Sequence, residues 1–145
     1  MANDLTQLYA SVKRFEGLYL MPYYCPAGIL TVGYGTSGAG VYPGIPWTKE
    51  QCETRMMRDI QKFVNGTLLL CPVLAQYDYK LCAIADFAYN CGLGNLRAST
   101  LRKRVNAEDW SGVKTELMKW TRGGGRVLPG LVRRRIAGCL LIDKD

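Results

Sequence analysis

The chain has 145 residues, a net charge of +7 and no histidine; 48% of its residues are hydrophobic and 21% charged. That balance suits one globular domain with a sizeable core and excludes a disordered chain. Without histidine, hydrolysis by a serine or cysteine with a His base is excluded, as is His-ligated zinc amidase chemistry, so proton transfer falls to Asp, Glu, Lys, Tyr or Cys.

In chain order, Asn3 or Asp4 caps a first helix whose apolar residues Leu5, Leu8, Val12 and Phe15 recur at three- and four-residue steps. Gly17 ends it and leaves Glu16 at its C-terminal edge, where the helix dipole disfavours a carboxylate. Residues 18–46 hold four prolines and six glycines after Gly17, breakers that rule out a long helix. Within them, Ile29 to Tyr34 reads as a strand, joined through a turn at Ala27–Gly28 to a short strand near Leu20 to Tyr24.

From Trp47 the pattern turns helical. Thr48 and Gln51 form a capping box, Cys52, Met56 and Ile60 follow at helical steps, and Asn65–Gly66 is expected to close that helix. Further helices are predicted over about 78–90, 98–106, 109–121 and 130–142, with Gly123–Gly124–Gly125 a flexible loop before the last. The fold class is α+β: a small lobe with a β-hairpin over about 15–46, then a mainly helical lobe over about 47–145.

The six cysteines, at 25, 52, 71, 82, 91 and 139, contain no Cys-x-x-Cys pair, so zinc is poorly supported and most are read as buried small hydrophobes. The triplets Arg102–Lys103–Arg104 and Arg133–Arg134–Arg135 spread around a helix axis rather than forming a stripe, and are read as solvated basic surface. A basic surface favours polyanions such as a cell wall, an anionic membrane or nucleic acid. The last has no zinc-finger spacing or aromatic–basic RNA motif to support it. No apolar run approaches the ~20 residues of a membrane span, and Met1 to Leu8 is unlike a secretory signal, so synthesis in a cytoplasm is expected.

With His excluded, Glu16 beside the glycine-rich hairpin is the first candidate acid. Apolar neighbours such as Phe15 would favour its protonated form. Eight residues separate Glu16 from Cys25, and five separate Cys25 from Thr31. This spacing, with Phe15–Glu16–Gly17–Leu18 and Leu30–Thr31–Val32–Gly33–Tyr34–Gly35, resembles the Glu–Asp/Cys–Thr strip of the phage-type lysozymes, glycoside hydrolase family 24. Asp86 to Gly92, Ala98 to Leu101 and Gly124 to Arg135 extend the resemblance to roughly residues 8–142.

The resemblance implies a single lysozyme-like catalytic domain over 1–145. It implies hydrolysis of the β-1,4 bond between N-acetylmuramic acid and N-acetylglucosamine in bacterial peptidoglycan, as in an endolysin. Glu16 would protonate the glycosidic oxygen, Cys25 would stand where most members carry aspartate, and Thr31 would help hold the attacking water. Cys25 admits three readings: a base activating water, a nucleophile, or an inert hydrophobe. Thr36 stands where many members carry histidine, so a changed contact is expected there. Asn90, Thr100 and Arg126 are candidate substrate contacts, although a helix cap, a helix start and a solvated charge explain the same residues. No cofactor or metal is implied. A monomer released to the wall by a separate membrane-permeabilising protein is expected. A peptidoglycan-binding lysozyme fold without activity, and a lytic transglycosylase, are the rival functions.

Overall fold

The computed structural model describes residues 2–145; Met1 lies outside that description. The first helix, α1 (Thr6–Glu16), buries Leu8 and Val12. Asp4 supports its start by accepting from the Thr6 amide at 2.9 Å and the Thr6 hydroxyl at 2.7 Å. Asn3 serves elsewhere, donating to the Ala75 carbonyl and to Asp78. At the other end Gly17, at φ 73°, leaves the helical conformation.

The hairpin region is an antiparallel sheet of three strands, β1 (Tyr19–Tyr24), β2 (Leu30–Gly33) and β3 (Thr36–Ser37), in that order. Sequence patterning predicts the first two; β3 is two residues long, too short to show an alternation. Register shifts between Tyr19, opposite Gly33, and Tyr23, opposite Thr31. Pro22 lies inside that irregular stretch and has no N–H to give to a ladder, which suits a bulge.

The long helix α2 (Lys49–Leu70) starts at the expected capping box: the Gln51 amide donates to the Thr48 hydroxyl at 3.1 Å and the Thr48 amide to the Gln51 side chain at 2.8 Å. It does not close at Asn65–Gly66 as predicted but runs on to Leu70. A Cβ on Gly66 would lie 2.5 Å from Leu93, so the glycine gives room for a neighbouring helix rather than an ending. A 3-10 turn (Pro72–Gln76) leads into α3 (Asp78–Cys91), the central helix, on which every residue from Lys80 to Ala88 is buried. Helices α1, α2 and α7 pack around it.

The predicted helix over 98–106 is two short ones, α4 (Leu93–Ala98) and α5 (Thr100–Asn106), parted by Ser99, whose hydroxyl accepts from the Arg102 amide at 3.1 Å. Helix α6 (Trp110–Leu117) stops short of residue 121. The glycine run expected as a flexible loop is instead the turn of a small hairpin, β4 (Arg122–Gly123) with β5 (Arg126–Val127). Gly124 and Gly125 stand at φ 60° and 81°, the paired left-handed geometry of a two-residue hairpin turn. The last helix, α7 (Pro129–Ile142), begins with proline at its first position.

Candidate active site

Glu16 stands where α1 gives way to the sheet, with its side chain 21% exposed. The expected enclosure by apolar side chains is not what holds it. Arg134 of α7 donates to its carboxylate at 2.6 Å, and Phe15 lies with its ring 5.7 Å from that guanidinium. The same guanidinium grips Asp86 of α3 through two parallel bonds of 2.9 and 2.8 Å. With side chains only 3% and 5% exposed, Arg134 and Asp86 form a buried pair. Burial works against the Arg134 cation, but bonds to Asp86 and the two carboxylate charges outweigh it and push its pKa up. The three groups sum to one negative charge with Glu16 ionised and to zero with Glu16 protonated. Asp86 thus offsets the arginine, which orients Glu16 without adding a net positive charge.

Reading Arg133–Arg134–Arg135 as solvated surface is therefore corrected for two of its three residues. Arg134 is 4% exposed and Arg135 1%. Arg135 donates to the Trp120 carbonyl at 2.9 Å and to the side-chain oxygen of Asn90, and its guanidinium lies over the Phe87 ring. Burial lowers its pKa, as expected for a cation whose hydrogen-bond partners are neutral.

On its other side Glu16 rests against Gly35. A Cβ there would lie 2.6 Å from the Glu16 carboxylate oxygen, and Gly35 sits at φ 80°, so only glycine fits on both counts. The Tyr89 hydroxyl of α3 donates to the carbonyl of neighbouring Tyr34 at 2.5 Å. Burial, then the Glu16 charge, raise that phenol's pKa, so it stays a donor. Helix α3 thereby fixes the backbone on which Glu16 leans. Thr36, next in sequence, is 1% exposed and its hydroxyl has no partner among the described residues.

Cys25 begins the hairpin turn. Its carbonyl accepts from the Gly28 amide at 2.8 Å and its amide donates to the Ile29 carbonyl at 3.0 Å. The backbone at Ile29, foremost, then the backbone at Ala27 and the Thr31 hydroxyl hold its thiol below the ordinary 9.0. Thr31 is 6% exposed and donates to the Ile29 carbonyl at 2.9 Å. A hydroxyl has one proton, so Thr31 serves that carbonyl or the Cys25 sulfur, and its lone pairs stay free to accept from water. Tyr23 is opposite Thr31 in the sheet. Burial first, then Tyr19, Glu16 and Cys25 raise its pKa, which puts this phenol in the field of both candidate groups.

A cavity of about 410 Å³ joins Glu16 to Asn90, Arg133, Arg134, Leu128 and Leu131. Asn90 lines the same cavity as Glu16. Its side-chain oxygen is taken by Arg135, which leaves its amide N–H donors for other acceptors. Thr100 and Arg126 are not among the residues lining this cavity. Thr100 is exposed at the start of α5, and Arg126 is exposed in β5, two residues before Leu128. Sequence reasoning missed Asp86, Arg134, Gly35 and Tyr89 as parts of the site. One signal was present for the first: an aspartate inside the apolar run Leu81 to Ala88 must find a cation if it is buried.

The family described as phage lysozyme matches residues 13–138 of the chain. The endolysin of Bacillus phage B103 is 38% identical over 129 residues, which are 86% of this chain and 48% of that protein, so the chain spans about half the length of that relative. The endolysin of Acyrthosiphon pisum secondary endosymbiont phage 1 is 37% identical over 140 residues, covering 91% of this chain and 92% of its own. Among solved structures, the endolysin from Escherichia coli O157:H7 phage FAHEc1 superimposes with a TM-score of 0.80 at 29% identity, covering 99% of this chain and 94% of that one.

Proposed function

Because the chain belongs to the phage lysozyme family, we infer that it is an endolysin, a muramidase that hydrolyses the β-1,4 bond between N-acetylmuramic acid and N-acetylglucosamine in peptidoglycan. The observation that carries the reading is the placement of Glu16. It is held at 2.6 Å by a buried arginine, against a glycine with no room for a side chain, on a cavity between the end of α1 and α7.

Glu16 gives its proton to the glycosidic oxygen as the bond from that oxygen to the anomeric carbon breaks. Water attacks that carbon from the opposite face, and the Cys25 thiolate takes the water's proton. Thr31 accepts a hydrogen bond from the same water and orients it. Support for Cys25 as base rather than inert filler is its half-buried place at the start of the turn and the backbone that favours its thiolate. Solvent then returns a proton to Glu16 and removes one from Cys25. Asn90 offers its amide to an acceptor oxygen on the sugar.

The substrate lies in the bacterial wall. No described helix is long and apolar enough to cross a membrane. In this reading the enzyme is a monomer made in the host cytoplasm, and it meets the wall after a separate protein permeabilises the membrane. Turbidity of permeabilised Gram-negative cells tests the assignment. The wild-type protein is expected to clear them, and Glu16→Gln to lose at least about 100-fold of the rate, the scale of a missing general acid. Clearing at the wild-type rate by Glu16→Gln would remove Glu16 from the chemistry. A wild-type protein that binds sacculi without clearing cells would make the chain a wall-binding module.

A further inference from the structure

We propose that Arg58 and Lys62 of α2 bind the carboxylates of the peptide stem carried by the muramyl residue, a specificity site beside the acid; this rests on the muramidase reading above. The two side chains are one helical turn apart and both exposed, and they line a cavity of about 330 Å³ with Phe63, Tyr89 and Gly35. Gly35 is the residue against which the Glu16 carboxylate rests, so the cavity opens one residue away from the proposed acid. Arg58 also lines a neighbouring cavity of about 460 Å³ beside Trp47, so one trough runs along α2 past this charge.

The other charges lining the cavity at Gly35 are already engaged. Arg55 donates to the Ala39 carbonyl at 2.8 Å, the Ser37 carbonyl at 3.3 Å and Asp59 at 3.4 Å, which ties β3 and the following loop to α2. Asp59 is thereby used. Among the described residues neither Arg58 nor Lys62 has an acidic partner within 4.0 Å. Like charges at i and i+4 repel one another and weaken a helix slightly. A bound carboxylate relieves that repulsion. Within this polar lining the Phe63 and Tyr89 rings, 5.3 Å apart, form an aromatic patch suited to the aliphatic parts of a peptide or to a sugar face.

The chemistry of the substrate fits this layout. A stem leaves the muramyl sugar through its lactyl ether, close to the bond that Glu16 would protonate, and it carries free carboxylates. Free phosphate on the wall shares that charge but is not tethered to the cut sugar, and the substrates below separate the two.

The test compares wild type with Arg58→Gln/Lys62→Gln on sacculi bearing stems and on the same strands stripped of stems by an amidase. The ratio of kcat/KM on stem-bearing to stripped strands is expected to fall about tenfold in the double variant, and the wild-type ratio to shrink as salt rises. An unchanged ratio overturns the proposal, as does a loss that is equal on both substrates. Co-sedimentation is measured beside cutting. If wild type binds but cuts neither substrate, the hydrolase reading fails, and the binding ratio still decides the role of Arg58 and Lys62. Arg58→Lys, which keeps the charge, is expected to hold a ratio near that of wild type.

Discussion

Arg134 shares one guanidinium between Asp86, 48 positions away, and Glu16, 118 positions away. Neither separation leaves a mark on local periodicity, so the pairing of Arg134 with Glu16 was not legible in the sequence while the acid was. Glu16, Cys25 and Thr31 were legible because they lie in one strip of sixteen residues, where spacing and glycine punctuation survive as a pattern. Cys25 carries the sharpest prediction at this scale. Its thiol is held below 9.0 by the backbone at Ile29, so a thiolate-dependent rate rises with pH through a value below that figure and is lost as pH falls beneath it. Cys25→Asp is expected to stay active with the rising limb moved down toward the carboxylate range, about 4, whereas Cys25→Ser loses at least about 100-fold. The pH profile of kcat/KM checks both. Identical rising limbs in wild type and Cys25→Asp would show that the limb does not belong to residue 25.

Elements were read well where local chemistry decides them and badly where packing does. The capping box at Thr48–Gln51 and the glycine stop after Glu16 were both visible, since each depends on neighbours within four residues. Gly66 was misread as a helix end, because its reason is Leu93 on another helix. The Gly124–Gly125 turn was misread as slack chain, because two flanking residues on each side give no strand pattern. Gly66→Ala separates the two readings of that glycine. A helix interior gains about 1 kcal/mol from the exchange, but overpacking against Leu93, itself packed on the core, costs about 1–3 kcal/mol. A net loss of about 1 kcal/mol in denaturant unfolding is expected; a gain in stability would mean that α4 is free to move aside.

Across the whole molecule, the chemistry depends on parts supplied by separate regions. The helical lobe holds Glu16 through α3 and α7, while the hairpin presents Cys25 and Thr31, and the basic face of α2 flanks the cavity that meets Glu16 at Gly35. A net charge of +7 draws this assembly toward an anionic wall but does not specify the bond to be cut. In the proposed mechanism the stereochemistry follows from a proton donor and a water-activating base on opposite faces of the sugar. The configuration of the first product reads that arrangement directly. Proton NMR of freshly cleaved stem-bearing strands is expected to show the newly formed muramyl reducing end in the α configuration, before mutarotation mixes the anomers. A β product would instead make Cys25 a nucleophile, and an anhydro product would remove water from the reaction altogether; either contradicts the account.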